Sequence, residues 1–178
     1  LALVHPAITE ADRVAWHALL IATPVLPLGH DHEGAHILPA AIYPRDQVDN
    51  LENPELYAVF PFRLFAVGRP ELATARRTWD RRLFQDGGFG WRQDPIQAAY
   101  LGLADTAWWL VHRNFANQHG EDVALRGRIR FPAFWGPNFD WLPDQDHGGV
   151  SQMALQAMLL QWDGRRIVLL PAWPRRID

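Results

Sequence analysis

The chain has 178 residues, 48% apolar and 21% charged, a composition suited to a globular domain with one sizeable core. A net charge of −3 argues against a nucleic-acid binder, which would display a basic face. No apolar run reaches the ~20 residues of a membrane span, no signal peptide is visible, and the lack of cysteine removes any disulfide framework.

In chain order, Thr9 with Asp12 forms a capping-box pattern ahead of Val14, Leu19 and Leu20, which predicts a helix over Thr9 to Ala22. Residues 23–49 show no helical period. Pro24, Pro27, Gly29, Gly34, Pro39 and Pro44 punctuate them, and HILPAAIY (36–43) could hold a short strand pair. Asn53-Pro54 starts a predicted helix reaching about Val67, which Pro61 must kink or end and Gly68 stops. Pro70 opens another, PELATARRTWDRRLF, closed by Gly87-Gly88. Asp94-Pro95 repeats the cap-proline signature ahead of IQAAYLGL, and Asp105 or Thr106 caps a helix to about Gln118. The last helix spans Gly149 to Trp162, turns at Asp163-Gly164 and feeds a β-run over Ile167 to Leu170. About six helices joined by long loops predict a mainly α fold, with residues 1–162 forming part of an α/α toroid and 163–178 a short β segment.

The most informative stretch lies between the fifth and last helices, FPAFWGPNFDWLPDQDHGGVSQMALQAMLLQ (131–161). Its prolines and glycines break both regular periods, and its acids Asp140, Asp144 and Asp146 are costly to bury unpaired. Trp135 and Trp141 stand among them with Asn138 and His147. Flat apolar faces beside charged hydrogen-bonding groups are the furniture of carbohydrate sites. The plainer alternatives are that Asp144 caps the last helix, Asp146 and His147 are turn residues, and the indoles are packing lids. The cluster His30-Asp31-His32-Glu33…His36 carries ligand-type side chains but no second cluster at ligand spacing supports a zinc site, so it reads as a hydrated loop with no metal. Trp108-Trp109 reads as core or as a helix-pair interface.

Several ordered blocks between about Leu51 and Pro174 resemble the C-terminal half of the catalytic domain of glycoside hydrolase family 95, the inverting α-L-fucosidases and α-L-galactosidases. PELYAVFP (54–61) is similar to the family's SHLYGLYP, and GWRQDPIQAAYLGLAD (90–105) to its GWSLAWKINLWARLGD. DQDHGG (144–149) resembles DGNFGG, and MLLQWDGRRIVLLPAWP (158–174) resembles MLLQSHDGVIHLLPALP. The resemblance implies an (α/α)6 toroid that hydrolyses a terminal sugar with inversion, one acid protonating the leaving oxygen while a base activates water on the opposite face. It puts the general base at Asp144 and substrate contacts at Glu52 and Glu55, beside Trp135, Asn138, Asp140, Trp141, Asp146 and His147. The departures are that family histidines fall on Glu52 and Glu55, a Trp-Lys pair falls on Pro95 and Ile96, and an asparagine falls on Asp146. Acids at a helix start are also favoured by the helix dipole alone, the plain reading of Glu52 and Glu55.

The expected partners are an oligosaccharide or glycoside substrate and the remainder of the same chain, with no nucleic acid, no membrane and no cofactor. The family's general acid lies upstream of these blocks. The chain opens at Leu1 and its only methionines are Met153 and Met158, which reads as a piece of a longer protein, inactive alone. The resemblance implies a secreted or periplasmic enzyme. The competing reading is a non-catalytic carbohydrate-binding or structural relative, or another α/α-toroid carbohydrate enzyme such as a phosphorylase or lyase.

Overall fold

The computed structural model describes residues 8–40, 52–85, 91–115 and 146–176. Among them the chain is mainly helical, with five α-helices and two two-stranded antiparallel sheets.

Helix α1 (Glu10–Ala22) begins at the expected capping box. The Thr9 Oγ1 accepts from the Asp12 amide at 3.2 Å, and the Thr9 amide donates back to Asp12 Oδ2 at 2.9 Å. This satisfies two of the amides that a helix start leaves open. None of its residues is buried. Its apolar set, Val14, Trp16, Leu19, Leu20 and Ile21, faces solvent.

The strand pair forms earlier than HILPAAIY suggested. Strands β1 (Leu28–Asp31) and β2 (Gly34–Ile37) pair in the register Leu28 with Ile37 and Asp31 with Gly34. The reason is local: Asp31 Oδ1 accepts from the Glu33 and Gly34 amides at 2.8 and 3.2 Å, and Gly34 adopts φ +118°, which a side chain would resist. The hairpin is pinned to the next helix. The Ile37 amide donates to Thr78 Oγ1 at 2.8 Å, Arg77 Nε donates to the Ala35 carbonyl at 2.8 Å, and Arg81 bridges Asp31 and Glu33.

The helix expected from Asn53 to Val67 does not form. Only a 3-10 turn, Pro54–Leu56, is present. Pro61 has no amide to donate, and the chain instead doubles back so that the amides of Leu64 and Phe65 both reach the Ala58 carbonyl, at 2.7 and 3.4 Å. The fold-back buries Leu56, Val59 and Phe65. Helix α2 (Leu72–Arg81) starts two residues after Pro70, because Glu71 at its N-cap takes a left-handed φ of 59°. It buries Thr74, Ala75, Thr78 and Trp79, one face at helical spacing.

Helix α3 (Asp94–Tyr100) is buried at every residue. Gly102, at φ +70°, turns the chain into α4 (Ala104–Phe115), which buries Ala107, Leu110, Val111 and Asn114. Trp108 packs against the core and meets Trp173 edge-on at 5.9 Å, but Trp109 is exposed, so only the first of the two tryptophans is an interface residue.

Helix α5 (Asp146–Leu159) begins three residues before Gly149 and ends before Trp162. Its predicted last turn is instead strand β3 (Leu160–Trp162), paired with β4 (Ile167–Leu169). Asp163 and Gly164 make the turn as expected: the Asp163 carboxylate accepts from the Arg165 and Arg166 amides at 2.9 and 2.8 Å. Small residues Ala98, Ala99, Ala107, Ala154, Ala157 and Ser151 are all buried where α3, α4 and α5 meet, and their size permits close approach of the helices.

Candidate functional site

The direction of the helices places the site. The Gln161 amide Nε2 donates to the Ala99 carbonyl at 2.8 Å and to the Ala157 carbonyl at 3.0 Å. This brings the C-terminal ends of α5 and α3 together. Ile96 and Tyr100 of α3 also share one cleft with Met153, Gln156 and Ala157 of α5. The two helices therefore run side by side in the same sense, and Asp94 opens α3 at the end away from Gln161.

At that end a buried polar network joins three segments distant in sequence. Asp94 is 2% exposed, as is Arg92. Arg92 Nε lies 3.1 Å from Asp94 Oδ2, its NH2 donates to Oδ1 at 3.1 Å, and Arg82 Nε reaches Oδ1 at 3.4 Å. The Asn53 amide adds a contact to Oδ1 at 3.4 Å, while pairing with the Phe84 backbone through both its carbonyl (2.9 Å) and its amide (3.0 Å). Arg82 also donates to the carbonyls of Trp79 and Gln85, and its guanidinium lies 3.7 Å over the Trp79 ring. Burial pushes the Asp94 carboxyl up from the ordinary carboxylate range, and the Arg92 and Arg82 guanidiniums pull it back. Burial likewise lowers Arg82, against the attraction of Asp94. A carboxylate held this way is a structural clamp. It ties the entry to the 3-10 turn, the end of α2 and the start of α3 into one body.

The expected contact residues fall around this clamp. Glu55 is buried and accepts from the Leu83 amide at 3.1 Å. Glu52 is half-buried and accepts a hydrogen bond from the Tyr57 hydroxyl. Asp146 is exposed as the first residue of α5. His147 follows it in the helix, and its side chain lies outside the described atoms. Trp135, Asn138, Asp140, Trp141 and Asp144 lie outside the described residues. Glu52, Glu55 and the start of α3 are thus brought together.

The structure adds a residue to this end. His36 of β2 lines a crevice of about 30 Å³ with Glu55, Thr78 and Arg81, room for roughly one water. Its Nδ1 is buried without a hydrogen bond and stands 3.8 Å from Asp31 Oδ2. The His-rich stretch is therefore a hairpin fastened to α2 rather than a hydrated loop. Among the described residues no group of three or more His, Asp or Glu side chains is placed to hold a metal ion. The clamp itself was hidden in sequence, because Asn53 and Asp94 read as helix caps before proline. The one available signal was Arg92 two residues before Asp94, ahead of the apolar run IQAAYLGL.

Comparison with protein-family models, with curated proteins and with solved structures returns no match to this chain. Among the described residues no helix is long and apolar enough to cross a membrane.

Proposed function

We propose that this chain is part of a carbohydrate-active glycoside hydrolase that removes a terminal sugar with inversion, with Asp144 as general base. The observation that carries the reading is the convergence of the 52–55 segment with the start of α3, two of the places where the resemblance puts ligand residues; Asp144 stands two residues before α5 in sequence. A carboxylate in a polar, partly wet loop stays ionised near neutral pH and accepts a proton from water, which then attacks the anomeric carbon. A second acid, supplied by a longer chain, protonates the leaving oxygen. Glu52, Glu55, Asn138, Asp140, Asp146 and His147 would bind sugar hydroxyls, and Trp135 and Trp141 would take the flat faces of the rings. Localisation in the periplasm or outside the cell goes with this reading.

An α/α toroid is part of the same proposal. The wholly buried α3 and its parallel neighbour α5 fit an inner layer, and the one-sided α4 fits an outer one. The reading of a non-catalytic sugar-binding relative is favoured by one observation: Glu52 and Glu55 are already engaged inside the chain, by Tyr57 and by the Leu83 amide.

The experiment is to follow hydrolysis of terminal α-linked sugars by NMR with the longer protein. The first product anomer should be inverted, and Asp144→Asn should lower kcat by several orders of magnitude with the fold kept. A retained anomer, or a variant keeping more than about a tenth of the rate (a barrier change of only ~1.4 kcal/mol), removes Asp144 as the base. Sugar binding without turnover selects the non-catalytic relative.

A further inference from the structure

A cleft between α3 and α5 plays no part in the proposed hydrolysis. It encloses about 460 Å³, within the range of small-molecule sites. It runs along the flank of the α3–α5 pair and finishes at β3, with Tyr100, Met153, Gln156 and Trp162 in its walls and Arg63 at its rim.

Arg63 and Trp162 keep hydrogen-bonding and ring surface open to the cleft. The Arg63 guanidinium lies 4.8 Å over the Tyr100 ring and has no hydrogen-bond or ion-pair partner among the described residues. Gln161 is 6% exposed, and its Nε2 is spent on the Ala99 and Ala157 carbonyls. That fixes the amide and leaves Oε1 buried with no donor, a state buried oxygens rarely keep without water or ligand. The Trp162 ring is 63% exposed. Arg63 also holds a left-handed φ of 52°, an unfavourable conformation of the kind that collects at ligand sites. A smaller crevice continues from Tyr100, Gln161 and Trp162 to Arg69 and Arg166. Asp163 there is already engaged by Arg166. The cleft is therefore locally positive in a chain of net charge −3.

We propose that this cleft is a second ligand site, taking a carboxylate carried on a six-membered ring. The planar guanidinium of Arg63 suits a carboxylate, which it can hold by two parallel hydrogen bonds. The Trp162 face takes the flat side of the ring. Acidic sugars and aromatic acids share this chemistry. The site stands independently of the hydrolytic reading, since it uses none of the residues assigned to that reaction.

The test is calorimetric titration of the chain with methyl glucuronide, with 4-hydroxybenzoate and with neutral methyl glucoside. One of the two acids should bind saturably, the stronger naming the source, and the glucoside at least tenfold more weakly. Arg63→Asn removes the charge but tolerates the left-handed backbone, and Trp162→Ala removes the ring from an exposed position. Each should weaken acid binding at least tenfold with an unchanged circular dichroism spectrum, while Trp109→Ala on exposed α4 should not. Arg63→Gly serves if the asparagine variant does not fold. Absence of saturable binding by both acids, equal binding of the glucoside, or binding indifferent to both cleft variants would overturn the proposal.

Discussion

Replacing Asp94 by asparagine should unsettle the fold at the site end more than any other change of equal size. The amide keeps the shape but withdraws a charge that faces two guanidiniums nearly out of water, Arg92 at 2% and Arg82 at 8% exposure. Four contacts to the carboxylate, at 3.1, 3.1, 3.4 and 3.4 Å, lose their ionic part. Removing one partner of a buried pair costs about 3–5 kcal/mol, because the other charge stays buried without compensation. With a urea slope of about 2 kcal/mol/M for a chain this size, the unfolding midpoint should fall by ~2 M. Urea unfolding followed by tryptophan fluorescence reads this directly. If the single variant does not fold at all, Arg82→Met/Arg92→Met/Asp94→Leu, which removes all three charges, should recover part of the loss. A fall of less than ~1 kcal/mol, the scale of an exposed ion pair, would refute the clamp.

Gly102→Ala should destabilise by about 1–3 kcal/mol, since a Cβ there would sit 2.7 Å from Val67 Cγ2 on a backbone at φ +70°. Gly164→Ala, at φ +90° but with nothing within 4 Å, isolates the backbone part and should cost less, so equal losses in thermal unfolding would remove the steric argument. The Asp163 carboxyl is held down to about 2 by the Arg165 and Arg166 amides, from an ordinary 3.8. Its folded value lies below its unfolded one, so its contribution to the β3–β4 turn is full above pH 3.8 and is lost as pH falls through about 2. Hydrogen exchange at those two amides should quicken over that window relative to Asp163→Asn, and parallel curves would sink the assignment. Leu160, Ile167 and Leu169 of the β3–β4 hairpin are 48–70% exposed, and the apolar set of α1 is exposed as well. Such surface exceeds what soluble monomers usually leave open. The isolated chain should therefore self-associate in sedimentation, and a compact monomer at all concentrations would contradict this.

Local chemistry was legible in the sequence wherever a few adjacent residues settle it. The Thr9–Asp12 capping box and the Asp163-Gly164 turn both depend on groups within a turn of one another. The element boundaries failed where a distant partner outbids local preference. Residues 57–67 have helical character by composition, yet the Ala58 carbonyl captures two amides across a fold-back. Leu160 to Trp162 continue the helical pattern of α5, yet pair with β4 while Gln161 anchors to α3. The candidate site divides the same way. Acids before prolines were visible as caps, whereas the clamp they form with Arg82 and Arg92 exists only once α2 and α3 are brought end to end. Carboxylates and guanidiniums look alike in sequence whether wet or buried; only packing removes the water, and with it the freedom of Asp94 to be anything but a partner for its arginines.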